Sequence, residues 1–236
     1  MIYAEILAGG IGSRMNLDMP KQYIEINNKP IIIYTVEKFV KNDNVDRVLI
    51  CCKKDYFKFV TKILNQFLNT KEIEKCYLVE SGEDRNETVI NGCNYIKENF
   101  GINIEDRIIT IDAVRMFVTD RIINENIEYS KKYDAVGTFF PVVDTVIESF
   151  DANVVSSMPK RKFMYQAQAP QTFNIEKLLN YYNTLDHKVK EDLTDVGKIF
   201  FLNGEEFHMV KGDFNNFKVT YLNDLNIAKD MLNNNH

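Results

Sequence analysis

Leu7-Ala8-Gly9-Gly10-Ile11-Gly12-Ser13-Arg14-Met15, followed closely by Pro20-Lys21-Gln22, is the stretch that decides how the rest of the chain is read. It comes directly after Ile2–Leu7, an apolar run with the length of a β-strand. Three glycines let the backbone pass close to a bulky group, and N–H groups at such a turn cradle anions. Arg14 and Lys21 add two cations that can reach the same object. Phosphate suits this arrangement. The Gly-Lys-Ser/Thr of the common ATP loop is absent, and Met15 stands where a dinucleotide fingerprint needs its third glycine. The glycines alone also fit a plain turn. Arg14 and the Pro20-Lys21-Gln22 element favour a nucleotide site.

Outward from this loop, strand-like and helix-like segments alternate. Ile2–Leu7, Val45–Cys52, Cys76–Glu80, Arg107–Ile111 and Ala135–Phe140 read as strands. Ile31–Val40, Tyr56–Leu68, Val89–Phe100 and Ile122–Tyr133 carry apolar residues at helical spacing. This alternation implies an α/β fold with a mostly parallel sheet covered on both faces and ligands at the strand C-termini. Val142–Met164 breaks the rhythm. Strand-like Val142–Ser149 and Phe163–Tyr165 flank a polar centre, Asp151–Lys162, and predict a projecting β-hairpin arm. A lone hairpin is marginal in water, so the arm is expected to pack on a second copy of the chain. Helices near Ile175–Tyr182, Thr194–Leu202 and Leu222–Leu232 and short strands at Glu206–Val210 and Phe217–Val219 follow. Residues 1–236 are expected to form one domain, with 142–165 as its arm.

The 236 residues, 45% of them hydrophobic, suffice for one large core. A net charge of -5 argues against nucleic-acid and membrane-surface partners. Cys51, Cys52, Cys76 and Cys93 lack CxxC spacing. The adjacent pair would point to opposite sheet faces, so reduced core thiols of a cytoplasmic protein are expected. No apolar stretch has bilayer length. His187, His208 and His236 have no visible triad partner and read as packing or surface residues.

Four constellations carry potential chemistry. The first is the glycine loop with Arg14 and Lys21. The second, Ser81-Gly82-Glu83-Asp84-Arg85-Asn86-Glu87-Thr88, follows the third strand. It can bind a base or ribose through helix N-terminal amides, or simply cap the next helix. The third is Ile111-Asp112-Ala113-Val114-Arg115. Asp112 can hold a hydroxyl or sit near Mg²⁺, or pair with Arg115 without any ligand. The fourth is scattered: Asp144-Thr145, Arg161, Pro170-Gln171, Thr194-Asp195 and Lys218. Arg161 and Lys218 could hold the phosphate of a second substrate.

In this order, these stretches resemble the cytidylyltransferases that activate polyol phosphates with CTP, in their ribitol-5-phosphate and 2-C-methyl-D-erythritol 4-phosphate branches. The resemblance runs from Leu7 to Asn216–Thr220 and the closing helix. It implies a Rossmann-like three-layer fold, a homodimer formed through the β-arm, and Mg²⁺ carried mainly by the triphosphate, with Asp112 as a possible contact. Arg14 and Lys21 match the pair that stabilises the transition state at the α-phosphate. Leu7, Ala8, Gly9, Gly10, Gly12, Ser81, Gly82, Asp84, Arg85, Asn86, Thr88 and Asp112 fall in the stretches that hold CTP. Asp112, Arg115, Thr145, Arg161, Thr194 and Lys218 are assigned to the polyol phosphate, Arg161 and Lys218 with a catalytic part and Arg161 entering the partner's site. Gly9-Gly10 and Asp84–Thr88 are closer to the ribitol branch, because the methylerythritol branch usually has Ala-Ala-Gly and a serine in place of Thr88. Ile111, Met116, Ala169 and Ser81 replace the usual histidine, proline, threonine and glycine. The implied reaction makes CDP-ribitol and pyrophosphate for a cell-surface polymer such as teichoic acid. The alternatives are the isoprenoid-precursor enzyme and a nucleotide-binding protein without catalysis.

Overall fold

A computed structural model describes residues 1–10 and 19–234. Its centre is a seven-stranded sheet. The strands are β1 (Ile2–Leu7), β4 (Arg47–Cys52), β5 (Cys76–Glu80), β6 (Arg107–Asp112), β7 (Ala135–Pro141), β8 (Tyr165–Asn174) and β9 (Phe207–Lys211). Two-residue strands β2 (Glu25–Ile26) and β3 (Lys29–Pro30) form a separate hairpin. The sheet order is β5-β4-β1-β6-β8-β7-β9. β5, β4, β1 and β6 pair in parallel, β8 runs antiparallel to both β6 and β7, and β9 is parallel to β7.

Side-chain alternation divides the core. Ala4, Ile6, Val48, Ile50, Cys52, Ile109 and Ile111 face one side. They pack against α1 (Ile31–Val40), α2 (Phe57–Phe67) and α5 (Asp120–Ser130). Tyr3, Leu49, Cys51 and Ile108 face the other side, under α4 (Arg85–Phe100), α6 (Ile175–Thr184) and α8 (Gly197–Leu202). Cys51 and Cys52 thus lie in different cores, as strand geometry requires. Short helices α3 (Thr70–Glu74) and α7 (His187–Glu191) link elements, and α9 (Leu222–Asn234) closes a third cluster around Ile26, Ile31, Met116 and Val219. Among the described residues no helix is long and apolar enough to cross a membrane.

The chain leaves β1 toward β4 and β5, then returns to β6 on the other side of β1. That reversal is the switch point where open parallel sheets bind ligands. Register places Leu7 beside Asp112, so the glycine loop and the Asp112 turn leave the sheet together.

Two expectations need correction. β8 is a ten-residue strand at the sheet's interior, where only Phe163–Tyr165 was expected. Pro170 and the glutamines disguise it: the β7–β8 ladder shifts between Gly137 and Thr138, leaving Pro170 outside the regular pairing. Conversely, 142–164 is not a laddered hairpin. Its limbs share one isolated β-bridge, Glu148 with Ser157, besides hydrogen bonds such as Val142 N–H to the Met164 carbonyl at 3.1 Å, and Phe163 belongs to a 3-10 turn, Arg161–Phe163. Phe217–Val219 forms no strand; it is tied to the Asp112 turn by Val219 N–H donating to the Val114 carbonyl at 3.2 Å.

Candidate active site

Gly9 and Gly10 leave β1 held from below. The buried Gln22 amide donates to the carbonyls of Ala8 at 2.6 Å and Gly10 at 2.9 Å. Gln22 lies in the turn Lys21–Tyr23, which Tyr23 anchors by stacking on Tyr56 with centroids 5.0 Å apart. Lys21 is therefore presented by a fixed turn beside the glycines. Opposite, Asp84 caps α4 by accepting from Glu87 N–H at 2.8 Å, and the Thr88 hydroxyl accepts from Gly82 N–H at 3.0 Å. The cap is thus formed internally, and it sets Arg85 at the helix start.

Asp112 ends β6. Its Oδ2 accepts from Arg115 Nε at 2.9 Å and its Oδ1 from Lys218 Nζ at 2.7 Å, with Arg85 Nε 3.9 Å away. Burial alone would raise this carboxyl; Arg115, Lys218 and Arg85 outweigh that and hold it well below the usual carboxylate range. Arg115 is itself fixed by donating to the Asn216 carbonyl at 2.8 Å. The Asp112–Arg115 turn pair therefore forms, with Lys218 as a third member.

These elements enclose a cavity of about 290 Å³. Leu7, Gly9, Gly10, Lys21, Gly82, Asp84, Arg85, Thr88, Asp112 and Lys218 all line it, joined by Gln22, Glu83, Ala113 and Val114. Gln22 and Glu83 stood within quoted motifs, but nothing in their type marked them as lining. A second cavity of about 570 Å³ shares Lys218 and adds Arg115, Asp144, Phe140, Phe214 and Phe217 at the base of the arm.

Other expected site residues lie elsewhere. Gly12 and Arg14 are outside the described residues. Ala8 is buried, and its N–H donates to the Cys51 carbonyl. Asn86 is also buried and donates to the Leu193 carbonyl at 2.7 Å, because the first helical turn rotates it away from the cavity. Ser81 packs against Gly9 beside the cavity. Arg161 is exposed on the arm and donates to the Val143 carbonyl at 2.8 Å; Thr145 and Thr194 are exposed too. None of these three lines either cavity. His208 packs against Tyr129 and Tyr133.

Ile111, Met116 and Ala169 are all buried in apolar clusters, and the backbone of the Asp112 turn stays ordered by Ala113 N–H to Leu7 carbonyl at 3.0 Å. Among the described residues no three His, Cys, Asp or Glu side chains group to hold a metal. Both Asp112 oxygens already face cations, so Asp112 as it stands offers no free oxygen to an ion.

Comparison with known proteins identifies the fold and the family. The enzyme named 4-diphosphocytidyl-2C-methyl-D-erythritol synthase from Anaerococcus prevotii superposes with a TM-score of 0.80 at 23% identity, over 98% of this chain and 96% of that one. The 2-C-methyl-D-erythritol 4-phosphate cytidylyltransferase of Francisella tularensis gives 0.78 at 25% identity, over 96% and 97%. The Thermus thermophilus enzyme of the same name gives 0.72 at 17%, over 97% of each chain. The model of the family described as IspD, 2-C-methyl-D-erythritol 4-phosphate cytidylyltransferase, matches residues 2–234. A glycine loop and a cation-ringed aspartate at the switch point of a matching fold lead to one conclusion: the chain belongs to this family of CTP-dependent cytidylyltransferases.

Proposed function

We propose that this cytidylyltransferase transfers CMP from CTP to a polyol phosphate, D-ribitol 5-phosphate, giving CDP-ribitol and pyrophosphate. The observation that carries the reaction is the Leu7–Asp112 register, which brings Lys21, Arg85 and Lys218 around one cavity beside Gly9-Gly10. CTP would lie there with its triphosphate along the glycine loop. A phosphate oxygen of the acceptor attacks the α-phosphorus in line; the new P–O bond forms as the bond to the β-phosphate bridging oxygen breaks, and pyrophosphate leaves. That nucleophile is anionic at neutral pH, so no general base is required. Catalysis is positioning and charge stabilisation. Lys21, with Arg14 from the same loop, meets the charge that develops at the α-phosphate. The divalent ion, Mg²⁺ in our reading, arrives on the triphosphate as part of the substrate and neutralises its charge.

Lys218 lines both cavities and is the natural contact for the acceptor's phosphate. The choice of ribitol rests on Gly9-Gly10 and Asp84–Thr88; the names of the structural neighbours favour methylerythritol phosphate instead. The arm, with its exposed Phe150, Met158 and Phe163, would pack on a second copy and bring Arg161 toward that copy's acceptor cavity. Pyrophosphate release from CTP and Mg²⁺ with each acceptor tests the assignment. Turnover with ribitol 5-phosphate is expected, and turnover with methylerythritol phosphate alone rejects it.

A further inference from the structure

Arg85 is held in an unusual way. It is the first residue of α4 and lines the cavity, yet its guanidinium makes no close ion pair. Nε lies 3.9 Å from Asp112 and Nη1 lies 3.8 Å from Asp195 Oδ2, both too far for hydrogen bonds. Nη1 is buried and has no hydrogen-bond partner among the described residues. A buried donor in that state is costly, and the carboxylate it faces is Asp195. Asp112 is already shared between two closer cations, Arg115 and Lys218. Asp195 is therefore the counter-charge with most left to offer Arg85.

Asp195 is itself rigidly placed. Its Oδ1 accepts from Gly197 N–H at 2.7 Å and its Oδ2 from the Gln171 side-chain amide at 3.2 Å, so β8 and the start of α8 fix both oxygens. It does not line the cavity. The neighbouring residues repeat the link, because Asn86 donates to the Leu193 carbonyl. The helix start and the loop carrying Asp195 are thus joined twice.

We infer that Asp195 is a positioning residue that holds the Arg85 guanidinium, with a free donor, toward the nucleotide cavity. This rests on the reading of that cavity as the CTP site. Nη1 stays turned toward Asp195, and the remaining guanidinium N–H groups are left for an oxygen of the bound nucleotide, aimed by Asp195 before binding.

Asp195→Asn is close to isosteric. Among the described residues the Gln171 side-chain carbonyl oxygen is buried without a partner, so that amide can turn over and accept from the introduced side-chain amide. The local hydrogen bonds survive and the charge facing Arg85 is lost. A purely electrostatic role predicts tighter CTP binding, since a negative charge near an anion has gone. Positioning predicts the opposite sign. Calorimetry with CTP and Mg²⁺ on the full chain should show roughly tenfold weaker binding for Asp195→Asn. KM for CTP should rise while KM for the acceptor stays unchanged. In an Arg85→Gln background the same substitution should have no further effect. Unchanged or tighter binding overturns the inference, as does an equal loss in the Arg85→Gln background. If Asp195→Asn does not fold, Asp195→Glu replaces it: its loss, too, must vanish with Arg85→Gln, and persistence overturns the inference. Wild-type protein that binds no CTP overturns the function reading and the inference with it, an outcome distinct from failure of the variant alone.

Discussion

Lys21 and Lys218 both line one cavity, and their surroundings assign them different tasks. Lys21 sits on a turn whose position is set by Tyr23 stacking and Gln22 bonding. Removing a fixed cation from a developing oxyanion costs about 3–4 kcal/mol of barrier, so Lys21→Ala should lower kcat about 100- to 1000-fold with little change in acceptor KM. Lys218→Ala should mainly raise acceptor KM. Steady-state kinetics with both substrates varied checks the pair, and unchanged turnover in Lys21→Ala removes it from the transition state. Glu5 makes a different prediction. This β1 carboxyl is fully buried, with Oε2 unpartnered among the described residues, and accepts from the Cys51 thiol at 3.1 Å. Burial raises it to about 8, opposed only in part by the Cys51 hydrogen bond and the Arg85 charge. A raised pKa means folding favours the protonated acid. That stabilisation is complete below the unfolded value near 4.5 and is lost as pH rises through about 8. Between those limits stability should fall by up to about 1.4 kcal/mol per pH unit. Urea denaturation from pH 5 to 8 should show this decline in the wild type and a flatter profile in Glu5→Gln; parallel profiles contradict it.

At the scale of elements, the loop after β1 and the loop after β5 meet at a single contact. A Cβ on Gly9 would stand 2.5 Å from the Ser81 Cβ and 2.6 Å from its Oγ. Ser81 therefore occupies the space that an alanine at position 9 would need. Gly9 and Ser81 were noted in the sequence as two separate features, one pointing to a branch and one a departure; folded, they are a single exchange of volume. Gly9→Ala should destabilise the protein by about 1–3 kcal/mol, and adding Ser81→Gly should restore most of it. Thermal melts of the two single variants and the double variant measure the coupling, and additive losses would show that the contact does not carry it. The elements flanking this contact were legible beforehand because their burial is periodic. Ile31–Val40 and Cys76–Glu80 keep the expected bounds, since one face or both faces of each are apolar. β8 was not legible: Gln166, Gln168, Pro170 and Gln171 do not look like an interior strand, and only pairing on both sides makes them one. The 3-residue turn holding Gln22 was likewise invisible, since its role is to brace a loop fourteen residues away.

At the scale of the whole molecule, the arm leaves a band of large apolar side chains in water. Val143, Phe150, Val154, Met158 and Phe163 are each more than 60% exposed. With one isolated β-bridge and a few further hydrogen bonds between its limbs, 142–164 has no continuous ladder to hold it as a free hairpin. We expect a dimer by analytical ultracentrifugation. The double change Phe150→Glu and Phe163→Glu should shift it toward monomer and lower acceptor turnover while CTP binding persists; a monomeric wild type would rule out assembly through the arm. The sequence by itself determined the alternating α/β order, the two-sided core, the glycine loop and the candidate cations, because these depend on local periodicity and residue chemistry. Only the tertiary structure decided that Asp112 is shared between Arg115 and Lys218, that Asn86 turns inward, and that Arg85 faces Asp195. Those outcomes depend on contacts between segments up to 110 residues apart, and which of several cations reaches one buried carboxylate is settled by packing rather than by residue type.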